Sequence, residues 1–129
     1  PAGEKVKIEI TKDDWFSAYK SERKTNNGKL NRWKLKGQIE FSCFDINASP
    51  LKGKVVTGAL LHMKSVPPSS KYEANYLRVG ISSMAAPWEE GSSTKSYAEM
   101  EGAPCYEQAE LGQRDWAYEG STVMDVVLT

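Results

Sequence analysis

Gln38-Ile39-Glu40-Phe41-Ser42-Cys43 is the stretch that decides the fold class. Ile39, Phe41 and Cys43 alternate with Gln38, Glu40 and Ser42, and a period of two puts apolar and polar side chains on opposite faces of an extended strand. The same alternation recurs on both sides of it. Val6, Ile8 and Ile10 alternate with Lys5, Lys7 and Glu9, and Leu77, Val79 and Ile81 alternate with Tyr76, Arg78 and Gly80. Val55–Val66 and the β-branched run Val123–Leu128 read as further strands. Between them lies turn chemistry. Asn26-Asn27-Gly28 tolerates positive φ, and Val66-Pro67-Pro68-Ser69-Ser70 ends a strand because proline cannot donate to a ladder. Thr94–Glu101, between Gly91 and Gly102, is rich in helix formers and suits a short helix or a structured loop. The expectation is an all-β domain over residues 1–129, an antiparallel β-sandwich of jelly-roll type with roughly five to eight strands.

Composition narrows the function. A chain of 129 residues with 40% hydrophobic residues can bury one core and suits one domain. Seventeen Lys and Arg balance 17 Asp and Glu, which excludes a uniformly basic nucleic-acid coat. No apolar run approaches the roughly 20 residues needed to span a bilayer. Cys43 and Cys105 exclude a four-cysteine zinc site and leave open one long-range disulfide or two buried thiols.

His62 is the one histidine, so any Ser-His-Asp triad or Cys-His pair must use it. Its position, opposite Ala59, Leu61 and Met63 on a predicted strand, suits a surface or half-buried imidazole instead. Glu89-Glu90 is a carboxylate pair, but neighbours on a strand point to opposite faces and cannot flank one glycosidic bond. The expectation is therefore a non-catalytic chain with no catalytic residue. No metal ligand or cofactor is assigned. Asp45-Ile46-Asn47 and Glu99–Glu110 offer oxygens without calcium-loop spacing, which leaves room for a structural calcium ion.

Charge is balanced in total but not along the chain. Residues 20–36 hold Lys20, Arg23, Lys24, Lys29, Arg32, Lys34 and Lys36 against Glu22, a local +6. Residues 89–119 hold eight acids against Lys95 and Arg114, a local −6. The two segments either neutralise each other side by side or present separate charged faces. Aromatic residues interleave with the basic segment at Trp15, Phe16, Tyr19 and Trp33. Aromatic planes pack on sugar C–H faces, and Lys and Arg pair with carboxylate or sulfate. The same residues also fit a plain core with lysines exposed on edge strands. On a strand over 29–36, Arg32, Lys34 and Lys36 would share one face, with Trp33 and Leu35 on the other.

Phe41-Ser42-Cys43-Phe44-Asp45-Ile46, Val56-Thr57-Gly58-Ala59-Leu60-Leu61-His62-Met63, Leu77-Arg78-Val79-Gly80-Ile81, Trp88-Glu89-Glu90-Gly91 and Ala103-Pro104 follow in that order. Over roughly residues 25–105 this order resembles the DNRLRE family of secreted β-sandwich modules, some of them carbohydrate-binding. The chain departs from the family pattern at Ser92–Tyr97, after the Trp-Glu pair, and in its last strands. The resemblance implies that Ala59 and Leu61 face an opposing sheet, that Trp88 packs inward, and that Asp45 bonds local backbone. It also implies a secreted or extracellular module, cut from a larger protein.

Together these readings give a carbohydrate-binding module for an acidic polysaccharide, uronate-rich or sulfated, with neither nucleic acid nor membrane as partner. The ligand surface would comprise Tyr19, Lys20, Arg23, Lys24, Lys29, Arg32, Trp33, Lys34 and Lys36. The alternative is an interaction module that docks neighbouring domains of its parent protein.

Overall fold

A computed structural model describes residues 3–37, 39–64, 66 and 78–128. Its regular elements are β-strands and short 3-10 turns: β1 (Ile10–Ser17), β2 (Thr25–Asn26), β3 (Glu40–Ile46), a 3-10 helix at Ser49–Leu51, β4 (Ala98–Glu99) and a 3-10 helix at Val123–Val126. No α-helix occurs among the described residues. Two small antiparallel sheets form, β1 with β3 and β2 with β4. The coarse all-β character expected of the sequence is present. A closed sandwich is not, since neither sheet exceeds two strands among the described residues.

β1 and β3 pair with Trp15 opposite Ser42 and Phe16 opposite Phe41, and the register slips between Ile10 and Lys12. The start of β1 is open to solvent, whereas Asp14, Trp15, Phe16 and Ser17 are all buried. Four consecutive buried residues mean that both faces of the strand are covered at that end. One face meets a core of Phe16, Cys43, Trp88, Ala109, Trp116, Val123 and Val126. Phe16 meets the Trp116 ring edge-on with centroids 6.1 Å apart, and Trp116 Nε1 donates to the Cys105 carbonyl at 2.9 Å. The irregular segment after β4 thus supplies the second half of the core. Trp88 packs inside, in the orientation that the family resemblance implied.

Several expected strands are not formed. Val6 and Ile8 keep their alternating half-burial, but the ladder starts only at Ile10. In Val55–Val66 the described residues form no strand; Val55 is 91% and Leu60 85% exposed, and Ala59 faces solvent rather than an opposing sheet. A period of two specifies faces, but a strand also requires a hydrogen-bonded partner, and none is present there among the described residues. Leu77 lies outside the described residues, and Arg78–Ile81 is irregular and exposed. Val123–Leu128 begins as a 3-10 helix because Thr122 and Asp125 form a reciprocal capping box. Its i, i+3 spacing buries Val123 and Val126 together. Asp45, expected to bond local backbone, instead pairs with Lys12 at 3.4 Å. Thr94–Glu101 takes the loop alternative, carrying β4 and the positive φ of Tyr97.

Cys43 and Cys105 are both buried and unbridged. Burial pushes the Cys43 thiol up to about 12. An alkylating reagent should therefore label neither cysteine in the folded chain and both in denaturant, read by mass spectrometry. Labelling of either thiol in the folded chain would contradict this packing.

Candidate functional site

Local chemistry around one carboxyl group sets the framework. Asp14, 1% exposed, accepts the N–H of Trp15 at 2.7 Å and of Asn27 at 3.2 Å on Oδ1. Asn26 Nδ2 donates to Asp14 Oδ2 at 2.5 Å and to the Pro104 carbonyl at 2.9 Å. Asn27 Nδ2 donates to the Trp15 carbonyl at 3.0 Å, and its Oδ1 accepts Tyr97 N–H at 2.9 Å. Asn26-Asn27-Gly28, which reads as a surface turn, is thus a buried hub joining β1, β4 and the segments at 90 and 104. Gly28 is required there, because a Cβ would lie 2.0 Å from the Glu90 carbonyl oxygen. Burial pushes the Asp14 carboxyl up to about 8, against the opposing pull of its N–H and amide donors.

The basic segment divides into engaged and free cations. Lys29 pairs with Glu90. Burial pushes Glu90 up, but the bonds from Lys29 and Asp13 N–H outweigh it and hold the carboxyl below its usual range. Lys34 donates to Tyr97 OH at 2.7 Å, which donates to the buried Glu40 at 2.7 Å. The bond to Tyr97 and the charge of Glu40 hold the Lys34 ammonium above its usual range. Arg23 donates to the Ala18 carbonyl and lies over the Tyr106 ring. Lys20, Lys24, Arg32 and Lys36 are exposed and make no ion pair among the described residues. Tyr19, 59% exposed, stands beside Lys20 in the 19–24 turn. So the acidic and basic segments do meet, at Lys29–Glu90, and only part of the +6 is neutralised.

Residues 29–36 are not a strand; the ladder there is reduced to the Lys36–Glu40 bridge. The expected alternation survives without it. Arg32, Lys34 and Lys36 are exposed, while Trp33 and Leu35 are half-buried. Trp33 is fixed on two sides: its Nε1 donates to Asp13 Oδ2 at 2.5 Å, and its ring stacks on Phe44 with centroids 5.3 Å apart.

Trp33 and Phe44 line a cleft of about 810 Å³ along β3. All of Glu40–Asp45 lines it, although neighbours on a strand point to opposite faces, so the cleft follows an edge of the strand as well as a face, the edge that carries no ladder among the described residues. Trp88, Met84 and Met124 form the apolar wall, and Lys12, Lys36 and Arg78 carry positive charge at its margin. Lys12 is held by the Trp88 carbonyl and lies over the Trp88 ring. Two buried atoms of lining residues, Glu40 Oε2 and Ser42 Oγ, have no hydrogen-bond partner in the described structure. Apolar walls with a few polar groups are the usual makeup of a ligand cleft.

Of the nine residues expected on the ligand surface, Trp33 and Lys36 reach the cleft. Lys29 and Lys34 are engaged elsewhere, and Tyr19, Lys20, Arg23, Lys24 and Arg32 do not line it. Lys12, Phe44 and Arg78 were not legible as site residues, because each stands alone in its sequence neighbourhood. Glu89 is exposed and Glu90 is engaged by Lys29, on a segment that is not a strand. His62 is exposed. No group of three or more His, Cys, Asp or Glu side chains suited to a metal occurs among the described residues.

No family model matches the chain, and comparison with curated proteins and with solved structures likewise gives no match.

Asp14 makes stability depend on pH. Its folded pKa, about 8, lies above the unfolded value of 3.8, so the folded state holds a proton that the unfolded state releases between those values. Its stabilising contribution is fully present below 3.8 and is lost as pH rises toward 8, by on the order of 1 kcal/mol per unit. Thermal melts from pH 5 to 8.5 should fall steadily in the parent. In Asp14→Asn they should be lower but nearly flat.

Proposed function

We propose that the chain is a non-catalytic module that binds an acidic polysaccharide, uronate-rich or sulfated, on the surface where Trp33 and Lys36 enter the cleft. The observation that carries this is the Trp33–Phe44 stack, held rigid by Asp13, at a cleft beside unpaired cations. A pre-fixed indole offers a sugar ring an apolar plane at low entropic cost. Lys36 at the cleft and Arg32, exposed on the same segment, supply charge for carboxylate or sulfate. The DNRLRE-type resemblance, a jelly-roll sandwich and a secreted origin belong to this reading as proposals.

Charge gives modest, salt-sensitive affinity. Exposed pairs are worth about 0.2–1 kcal/mol each, so Arg32→Ala with Lys36→Ala should weaken binding to a uronate polymer by roughly 2- to 30-fold at low salt. Trp33→Ala should weaken it further. Lys34 is a poor choice for the same test, since its removal leaves the buried Glu40 without its cation. Equal binding by parent and double variant, or stronger binding to neutral than acidic glycans, would overturn the assignment.

A second reading has its own support. Val55, Leu60 and Ile81 are exposed apolar residues, which favours docking to neighbouring domains of a parent protein. A docking module would show no glycan binding in isolation.

A further inference from the structure

Asn27-Gly28 is the single Asn-Gly pair in the chain. In a flexible chain such a pair is chemically unstable. The Gly nitrogen, once deprotonated, attacks the Asn Cγ; a C–N bond forms, the bond to Nδ2 breaks and ammonia leaves. Water then opens the resulting succinimide at either carbonyl, giving aspartate or isoaspartate. The net change is amide plus water to acid plus ammonia, with no oxidation. Glycine promotes it because no side chain hinders the approach of its nitrogen.

The fold blocks each requirement of that reaction. Gly28 N–H is engaged by Asn26 Oδ1 at 3.1 Å. The Asn27 amide is clamped at both ends, Nδ2 on the Trp15 carbonyl at 3.0 Å and Oδ1 under Tyr97 N–H at 2.9 Å, so Cγ cannot swing onto the Gly28 nitrogen. Asn26, Asn27 and Gly28 are all buried, which keeps out water and hydroxide. The reaction's products fit the site no better. Aspartate at 27 would set a carboxylate oxygen against the Trp15 carbonyl, in a pocket where Asn27 N–H already serves the Asp14 carboxyl. Isoaspartate would add a methylene to the backbone beside Gly28, where the Glu90 carbonyl leaves no room for even a Cβ.

We propose that Asn27-Gly28 is a deamidation site gated by folding: intact while the hub is closed, converted when it opens, and barred from refolding once converted. Opening of the hub, through global unfolding or a local excursion, is then a one-way event on the timescale of the chemistry. This rests on the geometry of residues 26–28 and is independent of any ligand.

The test holds the chain at pH 8 with and without urea and follows Asn27 by peptide mapping with isoaspartate detection. The folded sample should convert on the order of 10²-fold more slowly, since the reaction then proceeds only from the open population. Recovery of the folded state after urea removal should fall in step with conversion. A parallel sample aged in urea at pH 5, where hydroxide to deprotonate the Gly28 nitrogen is far scarcer, should refold fully, which separates deamidation from aggregation. Asn27→Asp should melt well below the parent or fail to fold. Equal conversion rates in the folded and denatured chain, full refolding of the converted chain, or an Asn27→Asp variant as stable as the parent would each overturn the proposal.

Discussion

Burial of the Asp14 carboxyl is the constraint on which the rest depends. Placing such a group in the interior is unfavourable unless its hydrogen-bonding capacity is filled. The chain fills it from several stretches: the neighbouring peptide of β1, the Asn26 side chain and the backbone at Asn27. Through Asn26 and Asn27 the same network reaches Pro104 and Tyr97. Sheets this small bury little apolar surface, so a shared polar centre does much of the positioning that a wider sheet would otherwise provide.

The candidate site inherits its geometry from that centre. Asp13, the neighbour of Asp14, points the other way on β1 and pins the Trp33 indole. Lys12, one residue earlier, is held against Trp88 and Asp45. Strand alternation thus links the buried acid on one face with a fixed aromatic on the other, while Lys12 flanks the cleft from the acid's own side of the strand.

The sequence was legible where a pattern needed only itself. Ile39–Cys43 lies largely within a real strand, and His62 lies outside the core. Alternation at 32–36 gave the right exposure even without a ladder. Where a pattern needed a distant partner it misled: Val55–Val66 alternates but pairs with nothing described, and Val123–Leu128 yields to a local capping box. The Asn-Asn-Gly motif misled most, since surface turn and buried hub share the same residues. What separates them is an acid 12 residues upstream of Asn26, and no local rule connects the two.

Among the described residues β3 has a ladder on one edge only, that with β1. An unpaired strand edge with an apolar cleft beside it is a template on which another copy's backbone could add, the first step of sheet-to-sheet aggregation. Lys36 and Arg78 line the same cleft as gatekeepers, repelling an identical edge that carries the same charges. Colloidal behaviour is therefore tied to ionic strength: added salt screens the repulsion while leaving the apolar cleft as attractive as before.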